Sequence, residues 1–452
     1  MMKIEVIKID NLTIHEHHLD IIYSADKFRF STKIFYHDVS FSALIEKYSQ
    51  PLIERITAHI ALFEGMKFCS LFPKYYDISK ISPNLEKPVL DLFLKIYQGV
   101  FGQHWYENNV TDYQQPEIIY SQELGESYPV SILGDNPIIL TGCGGGKDSI
   151  LAMKMLQEAD IPFASMQYSH SVYGKADLQH QLIAQVLENV QPMKSHKISI
   201  FDDFIDFPFL QLYFPKNSGI TAPETPVSIF ESLILILDGG YKYLCLAHEK
   251  SANTGNLFWS EIGQEVNHQW GKSLEAEQIL NQFIREHLLS NFKYFSILQP
   301  IYDFRIFQNL SKYSEVIPKI HSCNIQKPWC KKCPKCAYVW LGLMAFCQPE
   351  QVDAIFQSNL FNDEDLQPTF REMLGLSTHT PFECIGEIGE SRLLMKKCFE
   401  KGLSGKAVEM FSQEILSDTS IDWQNIEQKY NFVYAKEHAI PHQIFAQLKE
   451  QF

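Results

Sequence analysis

Residues 137–152 read PIILTGCGGGKDSILA. Pro137, Ile138, Ile139 and Leu140 suit a buried strand, Gly142 and Gly144 to Gly146 allow the backbone a close turn, and Ile150, Leu151, Met153 and Leu156 recur at the spacing of a helix's inner face. Strand, glycine turn and helix in that order predict an anion site. The first N–H groups of a helix have no intrahelical acceptors and its peptide dipoles add positive potential there, so phosphate is a natural occupant. Lys147 can neutralise phosphate charge and Ser149 can donate to an oxygen. Asp148 is the outlier: a carboxylate beside phosphate repels it unless it holds magnesium, accepts loop hydrogen bonds or caps the helix.

Two common nucleotide loops do not fit. A kinase or GTPase loop needs glycine at 141 and serine or threonine at 148, where Thr141 and Asp148 stand. The dinucleotide spacing GxGxxG fails because Lys147 takes its last position. GGGKDS, from Gly144 to Ser149, resembles the pyrophosphate loop of the ATP pyrophosphatase superfamily, with Gly144 replacing the usual initial serine. That resemblance implies activation of a carboxylate or carbonyl oxygen by adenylylation, with release of pyrophosphate.

The 452 residues exceed one ordinary domain, and the 45% hydrophobic fraction suits a folded chain. Lys and Arg number 39 against 54 Asp and Glu, a formal charge of −15. Broad contact with nucleic-acid backbone is therefore not expected. The opening MMKIEVIKIDNL has no long apolar core, and the richest apolar run, from Ala337 to Cys347, is too short to span a bilayer. A cytoplasmic chain without a transmembrane segment is expected, its oligomeric state undetermined.

Along the chain, residues 1–130 begin with β-rich runs and continue with long apolar helical ones, an α+β accessory domain. A polar stretch from Gln114 to Asn136 reads as a junction. Residues 131–320 repeat a βαβα rhythm, with strands expected over 162–166, 195–200 and 241–247 and helices over 176–189 and 227–238. The rhythm predicts a central, mostly parallel nucleotide-binding sheet, with its ligand outside the carboxyl ends of the strands. Asp202, Asp203 and Asp206 follow one expected strand, where they suit magnesium, a ribose or a plain solvated loop.

The polar segment from His248 to Ser273 follows another strand end. His248, Glu249 and Lys250 can bring proton-transfer and anion-binding groups together, while Asn253, Asn256, Asn267, His268 and Gln269 offer directional hydrogen bonds. Lys272 and Ser273 suit an anion near the following helix. Tyr302, Asp303 and Arg305 stand at a further binding edge, where Arg305 suits a bidentate anion contact.

Residues 321–452 read as a cysteine-containing, mainly helical region. Cys323, Cys330, Cys333 and Cys336 are separated by six, two and two residues. Four thiolates fill a tetrahedral structural zinc shell and leave no open catalytic position; an iron–sulfur cluster is the alternative. Lys327, Lys331, Lys332 and Lys335 can stabilise the thiolates or an anionic ligand. Further on, Cys384 sits in a polar, glycine-bearing loop with Glu383, Glu387 and Glu390, as a buried scaffold cysteine or an acid–base group.

Across residues 137–400 the ordered set GGGKDS, HEKSANTGN, VNHQWGKS, HSC with WCKKCPKC, and PFECIGE resembles the ATP-dependent epimerases of UDP-N-acetylmuramoyl-L-alanyl-L-glutamate. The resemblance implies inversion of the terminal L-glutamate of a UDP-linked muramoyl dipeptide through an acyl-adenylate, consuming ATP and magnesium and yielding AMP and pyrophosphate. It assigns Gly144, Gly145, Gly146 and Ser149 to the pyrophosphate cradle, Lys147 to phosphate charge, and Asp148 to the loop or magnesium. Glu249, His268 and Cys384 rank as proton-transfer candidates. Lys250, Asn253, Asn267, Gln269, Lys272 and Arg305 are the expected substrate contacts. The competing readings are a ligase or nucleoside-modifying enzyme resembling 7-cyano-7-deazaguanine synthase, whose first cysteine gap differs, and a nucleotide- and metal-binding scaffold without turnover.

Overall fold

The computed structural model describes residues 4–112, 114–121, 124–206, 219–378 and 380–452. A ten-stranded sheet runs through it. Its strands are β1 (Val6–Ile14), β2 (His18–Ala25), β3 (Phe28–Tyr36), β4 (Tyr75–Asp77), β5 (Glu117–Ile119), β6 (Asn136–Cys143), β7 (Phe163–His170), β8 (Lys194–Asp202), β9 (Tyr241–Leu246) and β12 (Lys293–Ser296). A separate ribbon pairs β10 (Leu257–Trp259) with β11 (Gln264–Val266). The sheet order is β12-β9-β6-β7-β8-β3-β2-β1-β4-β5.

From β12 to β8 every neighbour is parallel, whereas β8, β3, β2 and β1 pair antiparallel. The sheet is thus continuous from the N-terminal strands into the parallel block, joined where Ile34 of β3 faces Ile200 of β8. The stretch expected as a junction supplies the edge strand β5, and Val130 exchanges backbone hydrogen bonds with Leu288 and Ser290.

Strands buried on both faces explain the unbroken apolar runs. Ile139 and Cys143 of β6 pack into one core and Leu140 into the other; on β9 and β12, Cys245 and Phe295 take the first core, Leu244 and Tyr294 the second. The first core contains the helix Lys147–Glu158 and the C-terminal helices. The second contains the N-terminal strands and the helices Gln50–Glu64 and Glu224–Gly239, whose Phe63 and Phe230 rings stack at 4.6 Å. The expected inner face of the helix Lys147–Glu158 is fully buried at Ile150, Leu151, Met153 and Leu156.

The helix Pro334–Phe346 is buried nearly all round, as an apolar helix with no polar face must be. The turn before it carries the four cysteines. The fold is therefore α/β, with an N-terminal α+β part and a helical, cysteine-containing C-terminal region.

Within the parallel block, chain order places the first strand, β6, between the second, β7, and the fourth, β9. The winding direction reverses between β6 and β9. In doubly wound sheets the connections after two such strands leave in opposite directions and open a crevice at their carboxyl ends. That crevice is where the glycine loop and the His248 segment emerge.

Candidate active site

A cleft of about 670 Å³ occupies this switch point. Its walls include Gly144, Gly146, Asp148 and Ser149 from the loop after β6, His248 and Glu249 from the loop after β9, and His268, Gln269 and Lys272 from the polar segment beyond. His321, Ser322 and Lys335 enter from the cysteine region, and Glu383 and Cys384 from the loop before the helix Ile388–Glu400. The segments singled out from sequence therefore converge on one space.

The glycine loop is built for close approach. Gly145 has φ +77°, and a Cβ there would meet the His321 ring. His321 N–H in turn donates to the Gly145 carbonyl at 3.0 Å. Gly144 faces open space. Ser149 Oγ donates to the Gly146 carbonyl at 3.1 Å and so stitches the first helical turn. Burial pushes the Cys143 thiol up to about 12, which leaves it a neutral core group.

Lys147 does not hang free over the loop. Its ammonium, fully buried, lies 2.5 Å from Asp148 Oδ1 and also bonds Asp303. Burial would lower its pKa, but Asp148, Asp303 and Glu249 hold it well above the ordinary lysine range. Burial pushes the Asp303 carboxyl up to about 6 against the pull of Lys147. Asp148 keeps about a quarter of its side chain exposed to the cleft, so its carboxylate remains open to a cation.

On the facing wall, Lys272 Nζ donates to Cys384 Sγ at 3.0 Å, His268 also hydrogen-bonds this sulfur, and Lys335 bonds the Cys384 carbonyl. Burial alone would raise the Cys384 thiol; Lys272, His268 and Lys335 overcome it and bring it down to about 6. Burial works against protonation of His268, yet the bond and charge of Cys384, with Glu383, raise it above the usual histidine value. Gln103, from the helix Pro88–Glu107, fixes the ring, its Oε1 2.5 Å from His268 Nδ1. The result is a thiolate held between an imidazole and two lysines.

Glu249 is the second buried anion. Burial raises its pKa, but Lys272, Lys147 and Lys335 prevail and keep it below the ordinary carboxylate value, and one of its oxygens has no partner. Lys272 is thus shared, its own pKa lifted by Cys384 and Glu249 against burial. His248 contrasts with these. Burial takes it down to about 3, so its ring is neutral near pH 7, with Nδ1 3.2 Å from Tyr294 Oη and 3.1 Å from Ser296 Oγ.

Several expected substrate contacts serve the scaffold. Lys250 pairs with Glu437 at 2.6 Å and lies over the Tyr434 ring. Asn253 donates to the Lys250 carbonyl and Gln299 and accepts from Leu274 N, while Asn267 donates to the Ala252 carbonyl and accepts from Gln269 N. Arg305 bonds the Phe452 carbonyl. None of these four lines the cleft. Gln269 does, with its Oε1 buried and unpartnered. Glu387 and Glu390 form the capping box of the helix Ile388–Glu400, which explains their pattern without chemistry. Asp202 forms an ion pair with Lys67 at 2.7 Å, and Asp203 accepts from Ser31 N at 2.9 Å.

The roles of Gln103, His321 and Ser322 escaped sequence reading, since each acts through a neighbour brought in from another part of the chain. Of these, only His321 and Ser322 carried a local signal, their adjacency to Cys323.

The four cysteine sulfurs lie within 4.8 Å of one another. Cys323 and Cys333 are 3.9 Å apart, and Cys330 and Cys336 3.7 Å. A tetrahedron with zinc–sulfur bonds of about 2.3 Å has edges of about 3.8 Å, so the shell fits zinc. Backbone N–H groups of Gln326, Lys332 and Cys336 point at the sulfurs of Cys323, Cys330 and Cys333 at 3.4 Å, support that thiolate ligands need.

The fold is that of an α/β protein whose switch-point cleft has a glycine loop on one wall and Cys384, His268 and Lys272 on the other, beside a tetracysteine knuckle. Two family models match it in chain order, the MurL N-terminal domain over residues 210–297 and the MurL C-terminal domain over residues 319–424. The chain is 32% identical over 268 residues to the UDP-N-acetyl-alpha-D-muramoyl-L-alanyl-L-glutamate epimerase of a Micromonospora species, covering 56% of this chain and 55% of that protein. The protein of the same name from Salinispora tropica is 29% identical over 276 residues, with 58% and 56% covered. That from Xanthomonas oryzae pv. oryzae is 23% identical over 390 residues, with 82% and 80% covered. The chain therefore spans just over half the length of the first two relatives. Glu249, His268 and Lys272 lie in the first matched segment, the cysteines and Cys384 in the second, and the glycine loop before both.

Proposed function

We propose that the chain inverts the terminal L-glutamate of UDP-N-acetylmuramoyl-L-alanyl-L-glutamate, using ATP to activate its carboxylate as an acyl-adenylate. The observation that carries this reading is the presence, in one cleft, of an anion-type glycine loop and a stabilised thiolate. The substrate is taken from the names of the relatives.

A carboxylate is a poor electron sink for its neighbouring α-carbanion, because it already carries negative charge. Conversion to a mixed anhydride with AMP removes that charge. In this reading the loop N–H groups of Gly144 to Gly146 and the start of the helix Lys147–Glu158 hold the phosphates. Magnesium, held by Asp148, would offset charge on the departing pyrophosphate. Cys384 takes the α-proton as thiolate, and Lys272 stabilises the enolate-like oxygen charge that develops beside it. Return of a proton to the opposite face belongs to His268, whose ring is held above the usual histidine value, while Glu249, an anion beside Lys272, is placed to restore that proton, and hydrolysis of the anhydride releases AMP and the D-glutamyl product.

Among the described residues no helix is long and apolar enough to cross a membrane.

The test supplies the UDP-linked dipeptide, ATP and magnesium in deuterium oxide. Glutamate stereochemistry, α-deuterium incorporation and AMP are then measured together for the native chain, Cys384→Ala, Glu249→Gln and His268→Gln. Inversion with AMP formation is expected from the native chain. Folded protein that binds ATP yet yields no D-glutamate refutes the proposal. The variant that still washes deuterium into L-glutamate without inversion identifies the second proton donor.

A further inference from the structure

The tetracysteine knuckle and the glycine loop meet at one short segment. His321 lies against Gly145, its N–H bonded to the Gly145 carbonyl. Ser322 follows, and a Cβ placed at Gly146 would stand 3.1 Å from Ser322 Oγ. Cys323 comes next, fully buried, its sulfur 3.9 Å from Cys333 and accepting from Gln326 N. Three consecutive residues therefore join a phosphate-type loop to the metal shell.

Ser322 Oγ is the unexplained atom. The residue is only 9% exposed and its hydroxyl has no hydrogen-bond partner, although it borders the cleft. Buried hydroxyls are ordinarily satisfied, and one that is not awaits an acceptor from outside the chain. Its neighbour Gly146 is the cap residue of the helix Lys147–Glu158, where free backbone N–H groups collect. A hydroxyl and a helix N-terminus directed at one space suit an oxyanion that accepts from both.

We propose that Ser322 Oγ is a phosphate ligand, lent to the glycine loop by the knuckle, and that metal binding at Cys323 sets its position. The proposal rests on the reading of the loop as a phosphate site. It extends that reading by giving the structural metal a task at the loop: with Cys323 tethered to the shell, Ser322 has little freedom to swing from the oxyanion. The ligand class is a di- or triphosphate, and the shell acts through position, without touching it.

The full chain is prepared with cobalt(II) in the tetracysteine shell and titrated with inorganic pyrophosphate and with ATP, both with magnesium. Native protein is compared with Ser322→Ala and Ser322→Thr, with metal stoichiometry and circular dichroism recorded for each. S322A is expected to keep its metal and bind pyrophosphate roughly tenfold more weakly, ~1.4 kcal/mol. S322T, which retains a hydroxyl, is expected to stay within about threefold of native. The cobalt–thiolate bands of the native chain are expected to shift on pyrophosphate binding. A native chain that binds neither ligand overturns the loop reading and this inference with it. A native chain that binds both, with S322A equally tight, overturns the Ser322 contact; cobalt bands that stay unmoved overturn its coupling to the shell. The native cobalt signal decides that coupling even if a variant loses its metal.

Discussion

Lys272→Met removes the ammonium that stands 3.0 Å from Cys384 Sγ while keeping a side chain of similar length. In the native chain Cys384 titrates at about 6, well below the ordinary thiol, although burial works the other way. With an effective dielectric of about 20, a unit charge at that distance contributes roughly 5 kcal/mol, or about four pKa units at most. His268 and Lys335 remain in the variant, so a rise of about two units, to roughly 8, is the expected outcome. The sign follows from the thiolate being the favoured form: reactivity is full above the pKa and lost as pH falls through it. At pH 7 the thiolate fraction then drops from about 90% to about 10%, and alkylation slows roughly ninefold. The assay is the pH profile of iodoacetamide modification, with the Cys384 peptide quantified by mass spectrometry so that the other cysteines do not interfere. An inflection that stays near 6 in the K272M chain refutes Lys272 as the source of the shift. A native inflection at 8 or above refutes the thiolate altogether.

Gly145→Ala must strain a φ of +77° and drive a methyl group into the His321 ring, so ATP affinity measured by calorimetry is expected to fall at least roughly tenfold. Glu277, buried and pushed up to about 8, is protonated in the folded chain near neutrality but ionised when unfolded. Stability is therefore lost as pH rises from the unfolded value near 4.5 toward 8, by up to roughly 1.4 kcal/mol per unit. Denaturation of Glu277→Gln across that window should show a flatter slope than native, and equal slopes would contradict the assignment. Lys250→Ala and Arg305→Ala, whose partners are Glu437 and the Phe452 carbonyl, should leave the KM for the UDP-linked dipeptide within about twofold in steady-state assays; a larger rise in KM would return them to the cleft.

The parts legible in the chain were those with short-range causes. The glycine turn between β6 and the helix Lys147–Glu158, the alternation of parallel strands and helices, and the cysteine spacing each depend on residues within a few positions of one another. Cys384 was visible as a polar-loop cysteine, with burial in a scaffold the rival reading. Its distinction comes from Lys272, more than a hundred residues earlier, and from His268 fixed by Gln103 of the N-terminal helix. No local pattern encodes those distances.

The same division explains the substrate contacts. Lys250, Asn253, Asn267 and Arg305 have the donor chemistry of ligand-binding residues, and sequence cannot separate a donor aimed at substrate from one that satisfies a buried carbonyl or carboxylate. Tertiary packing makes that separation, because it determines which polar groups have partners within the protein and which retain unused hydrogen-bonding capacity at the cleft. By itself, then, the sequence determined that this chain forms an α/β sheet with a glycine turn between strand and helix and a cluster of four cysteines, since backbone conformation and cysteine spacing are local properties. Only the tertiary structure decided that the loop, the thiolate and the shell meet at the β6–β9 switch point, because strand order and the resulting electric fields arise from contacts between residues far apart in the chain.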